Sequence, residues 1–308
     1  MSILKSKPFE VIIIFLIAFL NLFWLPTFSF WDIYPKNSLF SQNSNLIQYQ
    51  HPAKIYSKLA QKPQLNTTHY ILLDPITNTV VLSQNQDTKI YPASTTKLAT
   101  ALTALNIYPL DEELTIKEEY KEGKVMELEL GEKITIKSLV TALLVYSAND
   151  AAFTLAKHHQ KGVSGFIDEM NLINKKYGLK NTNFTNFDGI HNENHYSTVY
   201  DLSQIARLAI KSPIVLDTVK QKNITVESVD SLIKHELIST NELLGVIPEI
   251  EGLKTGWTPE SEGSFIGLIN LNGHYLISVV AQSSDRFTDT KNIIEWAKNN
   301  VFWQSYQP

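Results

Sequence analysis

Three short groups of residues carry side chains that could do chemistry. Ser94 stands three positions before Lys97 in Pro92-Ala93-Ser94-Thr95-Thr96-Lys97. At the start of a helix this spacing puts both side chains on one face. A serine hydroxyl is a weak nucleophile until a base takes its proton. A lysine is that base only when neutral, and burial, neighbouring positive charge and the partial charge of a helix N-terminus all lower its pKa. Ser147-Ala148-Asn149 adds a hydroxyl that can relay a proton and an amide that can bind a substrate carbonyl and hold the lysine. Lys254-Thr255-Gly256 is the only K-[ST]-G in the chain. It offers a cation and a hydroxyl that could receive a carboxylate, and a glycine that lets another backbone approach closely. Singly, the three are unspecific. S-x-x-K recurs at Ser2…Lys5 and Ser231…Lys234, and S-x-N recurs at Ser41…Asn43, Ser83…Asn85 and Ser239…Asn241. A helix cap, a turn cap and an edge strand with a solvated lysine are the ordinary readings of each alone.

The elements that must position these residues can be read from periodicity. Tyr70-Ile71-Leu72-Leu73-Asp74 and Thr79-Val80-Val81-Leu82 flank the turn Pro75-Ile76-Thr77-Asn78 and predict a hairpin. The run from Lys97 to Leu105 is apolar on most sides and predicts a buried helix. A mainly helical region follows, about 108–245, with a long helix pattern over Ile136–His159 and further helices over Phe166–Tyr177 and Tyr200–Ile210. The pattern then returns to strands at Gly252–Gly256, Ser264–Ile269 and His274–Ala281, and a closing helix spans Thr288–Val301. Strands at both ends with helices between them predict one sheet built from the two chain ends and a lobe inserted between. Lys254 and Thr255 point to opposite faces of a strand, so both reach one site only if local twist and Gly256 permit it.

The order S-x-x-K, S-x-N, K-T-G is the signature shared by penicillin-binding proteins and class A β-lactamases. The surrounding residues extend the likeness: Tyr91–Lys97, Gly131-Glu132, Tyr146–Ala152, Met170-Asn171, Asn186–Gly189, His195–Thr198, Asp201-Leu202 and Gly252–Thr258. From about Tyr70 to Trp303 the chain resembles the low-molecular-mass D-alanyl-D-alanine carboxypeptidases, a family of serine peptidases. The resemblance implies an α/β (α+β) fold of the DD-peptidase/β-lactamase type: a five-stranded antiparallel sheet flanked by helices, with an inserted all-helical lobe. It implies an acyl-enzyme on Ser94, Lys97 as general base, and Ser147 as the relay to the leaving D-alanine. Asn149 would bind the donor peptide, and Lys254 and Thr255 beside Gly256 would hold the terminal carboxylate. The backbone N–H groups of Ser94 and Trp257 would form the oxyanion hole. Arg286 is a further candidate for the substrate carboxylate, against the plain reading of a surface salt bridge. The implied ligands are a peptidoglycan stem peptide ending in D-Ala-D-Ala and β-lactams as inhibitors, with neither metal nor cofactor. Two departures stand out: Ala148 takes the place of the usual glycine, and the bulky Trp257 follows K-T-G, where it would narrow the cleft.

Composition bounds the remaining choices. The 308 residues carry a net charge of -4 and no cysteine, which excludes disulfides and thiol catalysis and gives no basic footprint for nucleic acid. Lys5 and Lys7 precede an apolar run from about Phe9 to Phe28, long enough to span a bilayer and without an A-x-A-like cleavage site. We expect residues 1–35 to be an uncleaved membrane anchor that tethers the chain, 36–66 a polar linker, and 67–305 an extracytoplasmic catalytic domain. Four other activities compete. A DD-endopeptidase would use the same machinery on cross-links. A β-lactamase would need a carboxylate such as that in Glu169-Met170-Asn171-Leu172-Ile173-Asn174, where Ile173 replaces the expected Asn. A wall-binding protein with a dead site would have no need of Lys97. A zinc peptidase would have to use His191, His195 or the His158-His159 pair, which lack H-E-x-x-H and read as polar loop histidines.

Overall fold

The computed structural model describes residues 53–55 and 61–303. The expected N-terminal anchor lies outside them, and among the described residues no helix is long and apolar enough to cross a membrane. In chain order the elements begin with strands β1 (Ala53–Ile55), β2 (His69–Asp74) and β3 (Thr79–Gln84). Helix α1 (Lys97–Ile107), the ribbon β4 (Glu113–Thr115) and β5 (Lys133–Thr135), and helices α2 (Ile136–Val145), α3 (Asn149–His158) and α4 (Gly162–Tyr177) come next. Then follow α5 (Val199–Ala209), α6 (Pro213–Val219), the ribbon β6 (Asn223–Glu227) and β7 (Lys234–Ile238), and strands β8 (Ile250–Thr258), β9 (Glu262–Leu271) and β10 (His274–Ser283). Helix α7 (Arg286–Asn300) and strand β11 (Val301–Trp303) close the chain.

Five strands form one antiparallel sheet in the order β3-β2-β10-β9-β8, joining the two ends of the chain as the pattern predicts. Successive side chains of a strand point to opposite faces, and here both faces are buried. Ile71 and Leu73 of β2, with Val279 and Ala281 of β10, face the core shared with the lobe, whereas Tyr70 and Leu72 face Ile293, Ile294 and Trp296 of α7. Helix α5 covers the lobe-side face and α7 the other. Helix α1 is buried from Lys97 through Leu105, which explains why its sequence is apolar on most sides.

Three features differ from the sequence reading. The helix pattern over Ile136–His159 is two helices, α2 and α3, broken at Ser147, whose φ of +69° leaves the helical region. Neither glycine nor proline marks the break, so periodicity runs through it. The lobe is mainly helical but also carries the two short ribbons β4–β5 and β6–β7, with strands of three and five residues; β4 and β5 are too brief to show a period, whereas β6 alternates polar and apolar residues, which the sequence reading passes over. The stretch read as a polar linker is partly ordered: β1 pairs with β11, the Trp296 indole donates to Gln61 O at 2.7 Å, and Asp289 accepts from the backbone and side chain of Asn66. Those contacts use backbone groups and amides, which no hydrophobic pattern reveals.

Candidate active site

Ser94 lies on a single 3-10 turn, Ala93–Thr96, that runs straight into α1. The i, i+3 spacing brings Lys97 Nζ to 3.0 Å from Ser94 Oγ, and the ammonium also donates to the backbone carbonyl of Asp188 at 2.7 Å. Lys97 is fully buried. Burial lowers its pKa to about 8, and the Asp188 carboxylate pulls weakly the other way. That carboxylate is itself engaged, accepting from the Tyr120 hydroxyl at 2.8 Å. The 186–190 loop is folded so that Asn186 Oδ1 accepts from Gly189 N, and a Cβ added at Gly189 would lie 1.9 Å from Ala93 O. Only glycine lets this loop lie against the turn that carries the serine.

Strand β8 is the sheet edge that meets the same turn. A Cβ at Gly256 would sit 3.0 Å from the backbone nitrogens of both Ser94 and Thr95, so the K-T-G strand rests directly on the turn that carries Ser94. Lys254 and Thr255 are both buried although they face opposite ways, because the edge strand is enclosed. Lys254 Nζ donates to the carbonyl of Thr255 at 3.2 Å, and the Thr255 hydroxyl lies 2.6 Å from that of Thr240. Burial pushes the Lys254 pKa far down, helped by the charges of Lys97, Lys124 and Arg286. Arg286, the first residue of α7, makes no ion pair among the described residues, and its Nε is buried without a hydrogen-bond partner. The surface salt bridge is therefore not what Arg286 forms; its guanidinium lies over the Phe287 ring, 4.5 Å from the centroid. Trp257, 60% exposed, stands at the rim.

Ser147 and Asn149 are buried at the α2–α3 break. The left-handed backbone of a non-glycine residue costs about 1–2 kcal/mol, and at Ser147 it turns the chain so that α3 starts afresh at Asn149. Asn149 Nδ2 donates to Glu122 O at 2.8 Å and its backbone N–H to Lys124 O at 2.7 Å. Asp150, next in line, accepts from the backbone of Met126 and of Leu128 at 3.1 Å. The S-x-N segment thus fixes the 122–128 loop. The expected grip of Asn149 on Lys97 is not formed, since Lys97 bonds to Ser94 and the Asp188 carbonyl.

Sequence reasoning gave no role to four groups here. The Asp188 carbonyl is backbone and has no side-chain signature. Thr240 and Lys124 gain their places only through long-range packing. His195 is buried rather than a solvated loop residue: Nδ1 accepts from Thr185 N at 3.1 Å, so Nε2 carries the proton and donates to Thr96 Oγ1 at 2.8 Å. Burial, with the nearby His191, lowers its pKa to about 4, keeping it neutral.

A serine–lysine pair beneath the edge strand of an antiparallel sheet, facing a helical lobe, is the arrangement of a serine acyl-transfer peptidase. The chain belongs to the D-alanyl-D-alanine carboxypeptidase family, whose profile matches residues 56–285. It is 28% identical over 254 residues to the D-alanyl-D-alanine carboxypeptidase DacA of Haemophilus influenzae, covering 77% of this chain and 63% of that protein. It is 30% identical over 200 residues to DacF of Bacillus subtilis, covering 62% of this chain and 51% of that protein. A D-alanyl-D-alanine carboxypeptidase of Streptomyces strain K15 is 30% identical over 256 residues, 76% of this chain and 88% of its own length. The crystal structure of the Streptomyces K15 DD-transpeptidase superposes with a TM-score of 0.74 at 30% identity, covering 78% of this chain and 99% of that one.

Proposed function

We propose that this protein is a serine D-Ala-D-Ala carboxypeptidase that removes the terminal D-alanine of peptidoglycan stem peptides and is acylated by β-lactams. The observation that carries the reading is the fully buried Lys97 with its Nζ 3.0 Å from Ser94 Oγ. Neutral Lys97 takes the Ser94 proton as Oγ attacks the carbonyl carbon between the two D-alanines. The oxyanion is received by the backbone N–H groups of Ser94 and Trp257, donors that matter most where charge develops. The C–N bond breaks, Ser147 passes a proton to the departing amine, and an ester remains on Ser94. Water then adds to that ester, its proton taken by Lys97; the acyl C–O bond breaks, Lys97 returns the proton to Ser94 Oγ, and the shortened peptide leaves as the carboxylate. Asn149 binds the donor peptide. Lys254, Thr255 and Arg286 hold the terminal carboxylate, and Gly256 keeps the strand close to Ser94.

A β-lactamase reading has little support. The Glu169 carboxylate acts on the Tyr108 hydroxyl, just past the end of α1 opposite Lys97. Those ends are about 16 Å apart on an 11-residue helix. Asn171 is occupied too, exchanging hydrogen bonds with the backbone of Phe184. We place the enzyme at the wall side of a membrane, tethered by its N-terminal segment, on the strength of Lys5, Lys7 and the apolar run behind them. Labelled penicillin tests the activity: the intact chain should be acylated and Ser94→Ala should not. Mass spectrometry of muropeptides should show loss of one alanine from pentapeptide monomers. Cleavage of dimers alone would instead make it an endopeptidase.

A further inference from the structure

The cleft has a fourth cation that the reaction above leaves unused. Lys124 sits on the 122–128 loop, and that loop is not free to move away. Its backbone carbonyl holds Asn149 N, the Glu122 carbonyl holds Asn149 Nδ2, and the Asp150 carboxylate grips Met126 and Leu128. A Cβ at Gly123 would fall 2.4 Å from Asn149 Nδ2, so the loop backbone lies directly on the S-x-N amide. The Lys124 ammonium lies over the ring of Tyr146, 3.9 Å from its centroid, next in sequence to Ser147. It makes no ion pair among the described residues. Its side chain is exposed, and its charge is felt by Lys254 across the site. The terminal carboxylate is already served by Lys254, Thr255 and Arg286 on the sheet side. Lys124 stands on the lobe side, beside the Asn149 that takes the donor peptide.

We propose that Lys124, supported by the Tyr146 ring, is a subsite for a second carboxylate, one carried by a residue of the donor peptide upstream of the two D-alanines. The proposal rests on the carboxypeptidase reading. An ammonium held by an aromatic face and lacking an acidic neighbour is ready to form a charge-assisted hydrogen bond. The enzyme would thereby prefer anionic stem peptides over amidated or neutral ones.

The test uses two synthetic peptides ending in D-Ala-D-Ala that differ only in the preceding side chain, one a free carboxylate and one its primary amide. With the full chain at low ionic strength, kcat/KM should favour the carboxylate by about five- to tenfold, a preference that salt weakens. Lys124→Met should collapse that ratio towards unity and Lys124→Arg should keep most of it. Any general effect of the lost charge on Lys254 falls on both peptides and leaves the ratio untouched. A ratio in Lys124→Met equal to that of the unaltered enzyme overturns the subsite, as does an unaltered enzyme that turns over both peptides equally. Turnover of neither peptide, with no acylation by labelled penicillin, overturns the carboxypeptidase reading itself, and the subsite falls with it.

Discussion

The protonation of Lys97 should govern how acylation depends on pH. Burial brings its pKa down from 10.5 to about 8. At pH 7 the neutral fraction is then about 9%, against about 0.03% for an unshifted lysine, a gain of about 300-fold or ~3.4 kcal/mol. The acylation rate with a fluorescent penicillin, followed by stopped flow, should rise about tenfold per pH unit from about pH 5 to 7 and level off above about pH 8. Burial is the main cause of the shift, and Lys254, which shares the pocket, is itself pushed towards its neutral form, so Lys254→Met should leave the midpoint near pH 8. The same shift has a stability consequence of fixed sign. Unfolded Lys97 stays protonated up to about 10.5 while folded Lys97 loses its proton at about 8, so folding is penalised below pH 8 and the penalty fades as pH rises through that window. Lys97→Met should be inactive yet more stable than the unaltered protein at pH 6, by ~2 kcal/mol once the unpartnered Asp188 carbonyl is counted. Its advantage should vanish towards about pH 10.5. An acylation rate flat from pH 5 to 7 would refute the assignment of Lys97 as the neutral base.

Gly189→Ala should lower the acylation rate at least tenfold, because the new Cβ meets Ala93 O and Ser94 N at a φ of +87°. Gly162→Ala, where φ is +64° with open space around it, should cost only ~1–2 kcal/mol of stability and leave acylation intact. Thr240→Val removes the hydroxyl that bonds Thr255. It should raise KM for substrates with a terminal carboxylate by roughly two- to tenfold, spare thioesters lacking that carboxylate, and be rescued by Thr240→Ser. His235 donates to both the Glu132 carboxylate and the Met126 carbonyl, which requires the imidazolium, and its hydrogen bond to Glu132 is the main cause of its raised pKa. The stability it contributes is full below about pH 6.5 and lost as pH rises through the raised value, so thermal unfolding should show a pH-dependent component above about pH 6.5 that His235→Asn lacks.

What the sequence made legible was whatever declares itself through side-chain type and local period. Strands β2, β9 and β10 send side chains to two buried faces, and α1 is apolar on most sides because it runs through the core. The three motifs name their own chemistry, and their order tied them together. The break at Ser147 did not show in the helical period, because it rests on a backbone angle in a residue that elsewhere continues a helix. The Asp188 carbonyl, which accepts from Lys97, is common to every residue type. Asn149 was legible as a site residue but not as the hinge pin of the 122–128 loop, because the other half of each bond is backbone 25 to 27 positions away.

The electrostatics of the site were illegible for a different reason. A net charge of -4 over 308 residues suggests nothing cationic. Yet Lys97, Lys124, Lys254 and Arg286 come from four separate segments to one cleft, and the carboxylate that acts on Lys97, that of Asp188, is held by Tyr120. Buried like charges cannot all stay ionised without cost, and the burden falls on the two most deeply enclosed, Lys97 and Lys254, whose pKa values drop. One consequence serves the proposed chemistry: a neutral amine beside Ser94. The other serves binding, since a carboxylate arriving at Lys254 relieves the repulsion that the empty site has to bear. Spacing along the chain brings Ser94 and Lys97 together. Enclosure under the edge strand lowers the Lys97 pKa, and the distant cations gathered there equip the proposed site to receive anions.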